Sequence, residues 1–390
     1  MQNAPAHYPP GQQTPLPKTP GFVRFRRRCL WLGALLPLCW ILQLVSSAFP
    51  QLTEAWFSRG VGPLMQTVIG FSFGWLPFSA SEILLIALVL FAVFLLARGT
   101  KRCVRKERAF GESLQRAGLL AVGFAGPLYL WFMLAWGLNY SRPPFAVNAG
   151  LDVSEPRAGE LEKVVARLID TANELREHVQ EDAEGVFRFA EGRQALLDTL
   201  PELFEQLALD YPFLAGPRPI TKQSLVSPLM TLVGISGIFS PFSGESHVNG
   251  TLPDLSFGFA ACHEAAHRRG IAREDEANFV AYLASSMSEL PDLCYSGTVG
   301  VLNYALRDLM TQNPGRAREL TKGLAPGVDR DRRAVFEFWK PKTRTRAVIR
   351  SVGQATNDVY LKSQRQTAGT ASYGHVVRLL IAHERRGDGT

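Results

Sequence analysis

Residues 263–267 read HEAAH. Residues four apart lie on one face of an α-helix, so His263 and His267 can aim two imidazole nitrogens at one point. Zinc accepts neutral imidazoles in a tetrahedral shell, and a glutamate beside the first ligand reaches the water such an ion carries. Glu264 is therefore the candidate general base for hydrolysis at a carbonyl. The flank FGFAAC and the internal AA are small or apolar, which marks the helix as buried. A buried His-Glu-His group needs partners, and a metal ion is one. The bare motif also arises by chance, as solvated charge on a surface helix.

A third ligand is expected just downstream. Gly270 stops the helix and permits a sharp reversal, after which Glu274-Asp275-Glu276-Ala277-Asn278 opens the next. Glu274 is the first choice. Asn278 stands four residues on, shares its face, and can hydrogen-bond a metal-bound histidine from behind. Glu276 is the alternative. A plainer reading makes all these acids a solvated first turn, favoured there by the helix dipole. A developing oxyanion needs a donor besides the metal. Tyr295, Tyr373, His247 and His375 are candidates, and each is also readable as a packing or surface residue. Glu245 either lines the cleft or is structural.

HEAAH followed by ExxAN resembles the gluzincin branch of the zincin metallopeptidases, whose pattern is HExxH followed by ExxAD or ExxAN on the next helix. The chain further resembles an uncharacterised family of bacterial multi-pass membrane proteins with a predicted zincin domain. That resemblance covers most of the chain after residue 20 and rests on several segments besides HEAAHRRGIAREDEANFVAYLA. They are PFS at Pro77–Ser79, WGLNYSRPP at Trp136–Pro144, GISGIFSPFSGESHVN at Gly234–Asn249, YSG at Tyr295–Gly297 and SYG at Ser372–Gly374. It implies zinc at His263, His267 and Glu274 with Glu264 as base, and it implies no substrate. Three departures stand out. Arg268 follows the second histidine, where zincins prefer an uncharged residue. Only six residues separate His267 from Glu274. HExxHxxG also echoes the metzincins, but Arg273 occupies their third histidine position. In the zincin arrangement an edge strand precedes the metal helix and aligns an extended substrate, and GISGIFSPFSGES stands in that place.

The elements that must carry this site divide the chain in two. Of 42 Lys/Arg and 35 Asp/Glu in 390 residues, residues 1–140 hold 13 and 4. The excess positive charge belongs to the N-terminal third, while a nucleic-acid binder carries it on the folded domain; no nucleic-acid partner is expected. Residues 1–20 contain six prolines and read as a disordered cytoplasmic tail. Residues 21–140 form the transmembrane region. Residues 29–49, 78–97 and 117–138 are each long and apolar enough to cross a bilayer. Basic RFRRR before the first span and RGTKRCVRKERAFGESLQR between the second and third place both on the cytoplasmic side. The N-terminus is then cytoplasmic and the chain beyond Leu138 extracytoplasmic, in the bacterial cytoplasmic (inner) membrane that the family resemblance implies. Residues 61–79 are also uncharged, but a fourth span would export the basic loop, and their glycines and prolines suit an interfacial or re-entrant segment.

Residues 141–390 read as a mostly α, α+β zincin-like domain with a small sheet. Helices are expected near 156–175, near 193–209 with a break at Pro201, over 256–269, 274–288 and 298–312, and near 348–363 and 373–385. An edge strand is expected near 235–242. The charged stretch 316–333 reads as a link. Five scattered cysteines make no disulfide framework, although Cys262 and Cys294 can pair in an oxidising compartment. The expected function is a membrane-anchored zinc-dependent hydrolase, a metallopeptidase acting on peptides or envelope proteins beside the lipid bilayer. The alternative is a non-catalytic, zinc-stabilised membrane scaffold, closed by a fourth protein ligand such as His247. A transporter is disfavoured, because no ionisable residue lies deep in the spans.

Overall fold

A computed structural model describes residues 20–105, 110–341, 343–363 and 373–387. The proline-rich stretch 1–19, expected to be a disordered tail, lies outside the described residues. Pro20, its expected last residue, instead opens a helix, as proline does readily at a first turn.

The chain is mostly helical. The first helices are α1 (Pro20–Gly33), α2 (Leu35–Ala48), α3 (Pro50–Thr53) and a π-helical stretch at Glu54–Val61. Then come α4 (Gly62–Phe73), α5 (Ala80–Val104), α6 (Phe110–Ala135) and α7 (Phe145–Ala149). Three helical runs are long and apolar enough to cross a membrane: Pro20–Ala48, Ala80–Val104 and Phe110–Ala135. They coincide with the three expected spans. Between the first two, α3, the π-helical stretch and α4 run on without a break, but that run carries Glu54 and Arg59 and is not among those apolar enough to cross a membrane.

The remaining elements are α8 (Glu160–Arg176), β1 (Gln180–Glu181), β2 (Phe187–Arg188), α9 (Gly192–Asp210), β3 (Thr221–Gln223), α10 (Ser227–Val233), β4 (Gly237–Ser240) and β5 (Glu245–Val248). They are followed by α11 (Asp254–Arg268), α12 (Glu274–Ser286), α13 (Pro291–Gln312), α14 (Pro314–Thr321), α15 (Pro326–Trp339), α16 (Arg344–Ser363) and α17 (Tyr373–Gly387). Pro201 does not break α9. Leu196, Leu197, Leu200, Leu203, Phe204 and Leu207 bury one continuous face, and that burial outweighs one missing N–H. Helix α13 begins at Pro291, a full seven residues before the expected start, with proline again in the first turn. The stretch 316–333 is not a bare link but most of α14 and α15.

Two compact units divide the chain, Met1–Trp40 with Phe94–Leu130, and Ile41–Val93 with Trp131–Thr390. In the first, α1 and α6 pack through small residues. Gly126 lies so close to the Leu32 carbonyl that a Cβ would overlap it, the close approach typical of membrane helices. The Arg116 guanidinium covers the Phe22 ring at 4.7 Å.

In the second unit, α11, α12 and α13 form the centre of the core, with α8, α9 and α17 around them. Phe257, Phe279, Tyr295, Leu168 and Leu200 are all fully buried there. One polar knot ties the core together. Asp331 on α15 accepts from Arg176 Nε (2.7 Å), Tyr295 OH (2.6 Å) and the Phe187 amide (2.8 Å). Burial and the neighbouring carboxylate push the Tyr295 hydroxyl up, so it stays a donor.

A three-stranded sheet, ordered β3-β5-β4, lies against α11. Strands β3 and β5 are parallel, and β4 and β5 antiparallel, with Ile238 opposite His247. β4 is an edge, as the sequence around 235–242 indicated.

Candidate metal centre

Helix α11 presents His263 and His267 side by side, with ring centroids 4.7 Å apart. Their Nε2 atoms are 3.0 Å apart. Glu274, the first residue of α12, brings one carboxylate oxygen to 3.2 Å from His263 Nε2 and the other to 3.7 Å from His267 Nε2. One ligand atom from each of these three residues lies within 4.8 Å of the others, close enough for all three to reach a single metal ion.

The opposite ring nitrogens are engaged. His263 Nδ1 lies 2.9 Å from Asn278 Oδ1, and His267 Nδ1 lies 2.6 Å from the Ile271 carbonyl. A carbonyl only accepts, so Nδ1 of His267 carries the proton and Nε2 keeps its lone pair for a metal. The backbone creates the second of these contacts. Gly270 has φ +80°, the left-handed conformation glycine takes past a helix end. Its amide bonds the His267 carbonyl and the Ile271 amide bonds the Ala266 carbonyl, so the chain turns back and lays Ile271 over His267. The six-residue link from His267 to Glu274 is short because this one tight reversal is all it contains.

The charges couple strongly. Burial works against protonation of His263, but the hydrogen bond and charge of Glu274 outweigh it and raise the imidazole to about 9. Burial depresses His267 to about 4. For Glu274 burial works upward, and the two imidazoles override it, holding the carboxylate well below its usual range. Burial pushes Glu264 up to about 8. Its carboxylate rests on the backbone of β4, where a Cβ at Gly237 would lie 2.4 Å from Oε1. Only glycine permits the edge strand to pass so near that side chain. Sequence reading missed Gly237; the glycines of GISG were the available signal.

Two further contacts fix α11. Trp136 donates its indole N–H to the His267 carbonyl at 2.8 Å, and its ring meets the His267 ring edge-on. Arg268 is buried and donates to the carbonyls of Arg218 and Gly244, with the Gln66 carbonyl at 3.5 Å. Burial, with the neighbouring Arg269, lowers its guanidinium to about 10. The charge that looked out of place after HEAAH is a clasp, joining α11 to the β4–β5 turn and to α4.

The other sequence candidates lie elsewhere. Glu276 points to the start of α7, accepting from the Phe145 amide at 2.8 Å and from Arg273 at 3.0 Å. Burial raises its carboxyl. Along β5, successive side chains alternate between faces. Ser246 faces α11 and donates to the Glu264 carbonyl. His247 and Glu245 therefore face the other way, His247 meeting Ser79 Oγ at 2.7 Å and Glu245 receiving Lys222 and the Ala80 and Ser81 amides. Tyr295 belongs to the Asp331 knot. His375 is exposed and 3.2 Å from Asp275. The side chain of Tyr373 and residue Ser372 lie outside the described residues. Cys262 and Cys294 are both free thiols, with Cys262 pushed up to about 12 by burial.

The family model described as "Protein of unknown function (DUF3810)" matches residues 57–381, and the chain belongs to that family. No curated protein and no solved structure matched the chain.

Proposed function

We propose that this family member is a membrane-anchored, zinc-dependent hydrolase of peptide bonds, built on a zincin-like domain. The observation that carries the proposal is the convergence of His263 Nε2, His267 Nε2 and the Glu274 carboxylate, with Glu264 on the same helix. Two imidazoles and one carboxylate suit zinc, and three protein ligands are the count of a catalytic rather than a closed structural site. Zinc held there supplies a Lewis acid and an activated water at neutral pH. Asn278 and the Ile271 carbonyl orient the two rings. Glu264 takes a proton from the attacking water and returns it to the leaving amine. The open edge of β4, with exposed Ile238, pairs with an extended peptide by strand addition.

The scaffold reading is the weaker one, because the fourth ligand it calls on, His247, faces the opposite side of the sheet and bonds Ser79. Substrates on the hydrolase reading are peptides or envelope proteins near the bilayer. The Lys/Arg bias supports a cytoplasmic N-terminus and an extracytoplasmic domain. Cysteine-accessibility mapping in intact cells tests that topology: a residue near the C-terminus labelled only after lysis would overturn it.

Metal analysis of the purified full chain tests the site. Wild type is expected to carry about one zinc per chain, and His263→Ala to lose most of it, since removing one of three ligands opens the shell. Equal zinc in the two proteins would refute the assignment.

A further inference from the structure

The segment Glu54–Phe78, between the first two candidate spans, has its polarity inside out. Three of its polar side chains point into the protein: Glu54, Ser58 and Gln66 are 4%, 3% and 2% exposed. Glu54 accepts a two-pronged pair from Arg142, at 2.8 Å on each oxygen. Gln66 donates to the carbonyls of Ala135 and Pro241. Its large apolar side chains point out, with Trp56, Leu64, Val68, Phe71 and Trp75 between 59% and 86% exposed. From Leu64 the steps to Val68, Phe71 and Trp75 are four, three and four residues, which puts these side chains on one stripe along α4 and its C-terminal flank.

In water such a stripe is a liability. In hydrocarbon it is the favourable arrangement, provided every exposed polar atom is satisfied internally. The exposed hydroxyls and indole of α4 and its C-terminal flank meet that condition. Thr67 Oγ1 donates to the Pro63 carbonyl at 2.8 Å, Ser72 Oγ to Val68 at 3.0 Å, and the Trp75 indole to Ser72 at 3.1 Å. No Asp, Glu, Lys or Arg occurs from Gly60 to Ser81. Helix α4 continues without a break from Pro50 through the π-helical stretch, and that run carries Glu54 and Arg59 and is not among those apolar enough to cross a membrane; its inner face is occupied by Gln66 and its partners along the domain side.

We infer that α4 lies in the plane of the membrane as a wedge beneath the folded domain, with Leu64, Val68, Phe71 and Trp75 immersed in the acyl chains of one leaflet. The partner of this surface is lipid hydrocarbon. The inner face of the same helix meets Arg268, the last residue of the HEAAH helix, so the wedge carries the metal helix at the bilayer surface. The inference stands on α4 alone and is independent of any metal or hydrolytic chemistry.

The unmodified full chain, reconstituted in phosphatidylethanolamine–phosphatidylglycerol vesicles doped with a lipid bearing a diazirine on its acyl chain, tests it. After photolysis and mass spectrometric mapping, peptides covering 62–78 are expected to carry lipid adducts alongside those of Ala80–Val104. Adducts on the spans with none on 62–78 would overturn the inference. As a second readout, nitroxides placed singly at Val68 and Phe71 are expected to collide with oxygen more than with a water-soluble nickel complex. The reverse order, or spin–spin broadening between copies showing that a second chain covers the stripe, would also overturn it.

Discussion

Glu264→Gln is expected to leave zinc content unchanged while lowering hydrolysis of a quenched-fluorescence peptide library about 10²–10⁴-fold, the usual contribution of a positioned general base. Glutamine keeps the shape of the side chain, so packing under β4 survives, but an amide accepts no proton at neutral pH. The proposed ligands are His263, His267 and Glu274, not Glu264, which is why binding and chemistry should separate in this variant. Gly237→Ala supplies a companion within the same experiment. Its Cβ would stand 2.4 Å from Glu264 Oε1, so the base must move while the ligands stay, and activity should fall with metal retained. If Glu264→Gln hydrolyses the library at the wild-type rate, Glu264 is not the base. If Glu264→Gln loses zinc as fully as His263→Ala, the division between ligand and base is wrong.

Asp331→Ala is expected to be the most destabilising single change away from the metal cluster. The Asp331 carboxylate is fully buried and is shared by Arg176, Tyr295 and the Phe187 amide. Its removal leaves a guanidinium that is itself 9% exposed with only the half-exposed Glu181 carboxylate and the Gly185 carbonyl as partners. Breaking a buried pair by deleting one partner costs about 3–5 kcal/mol, because the remaining charge is left without compensation. For a domain of this size that corresponds to a fall in the melting midpoint on the order of 10 °C, read by intrinsic fluorescence in detergent. Zinc content measured below the transition should match wild type, because Asp331 touches neither metal-bearing helix through its side chain. A midpoint within a degree or two of wild type would show that the knot is not what holds α8, α13 and α15 together.

Much of the site was legible because its logic is local. Four-residue spacing put His263 and His267 on one face, and the glycine at 270 announced the reversal. Glu274 and Asn278 were linked by the same helical period. The three candidate spans were equally plain, since length and lack of charge are properties of a segment and need no partner. Pro201 was misread because a local breaker was weighed without the burial that overrides it.

Sequence alone thus determined the two-histidine helix, the apolar runs and an edge strand ahead of HEAAH. It left Glu274 and Glu276 as rivals, because both sit in one turn and both are acids. Tertiary structure separated them: the turn at Gly270 sets the rotation of α12 so that Glu274 faces the imidazoles and Glu276 faces the Phe145 amide. Strand register likewise sent His247 away from α11, since side chains on a strand alternate and Ser246 takes the inner face. Which side of a strand faces a helix, and what lies behind a buried arginine such as Arg268, are fixed by contacts between segments distant in the chain, and spacing within one segment carries no information about them.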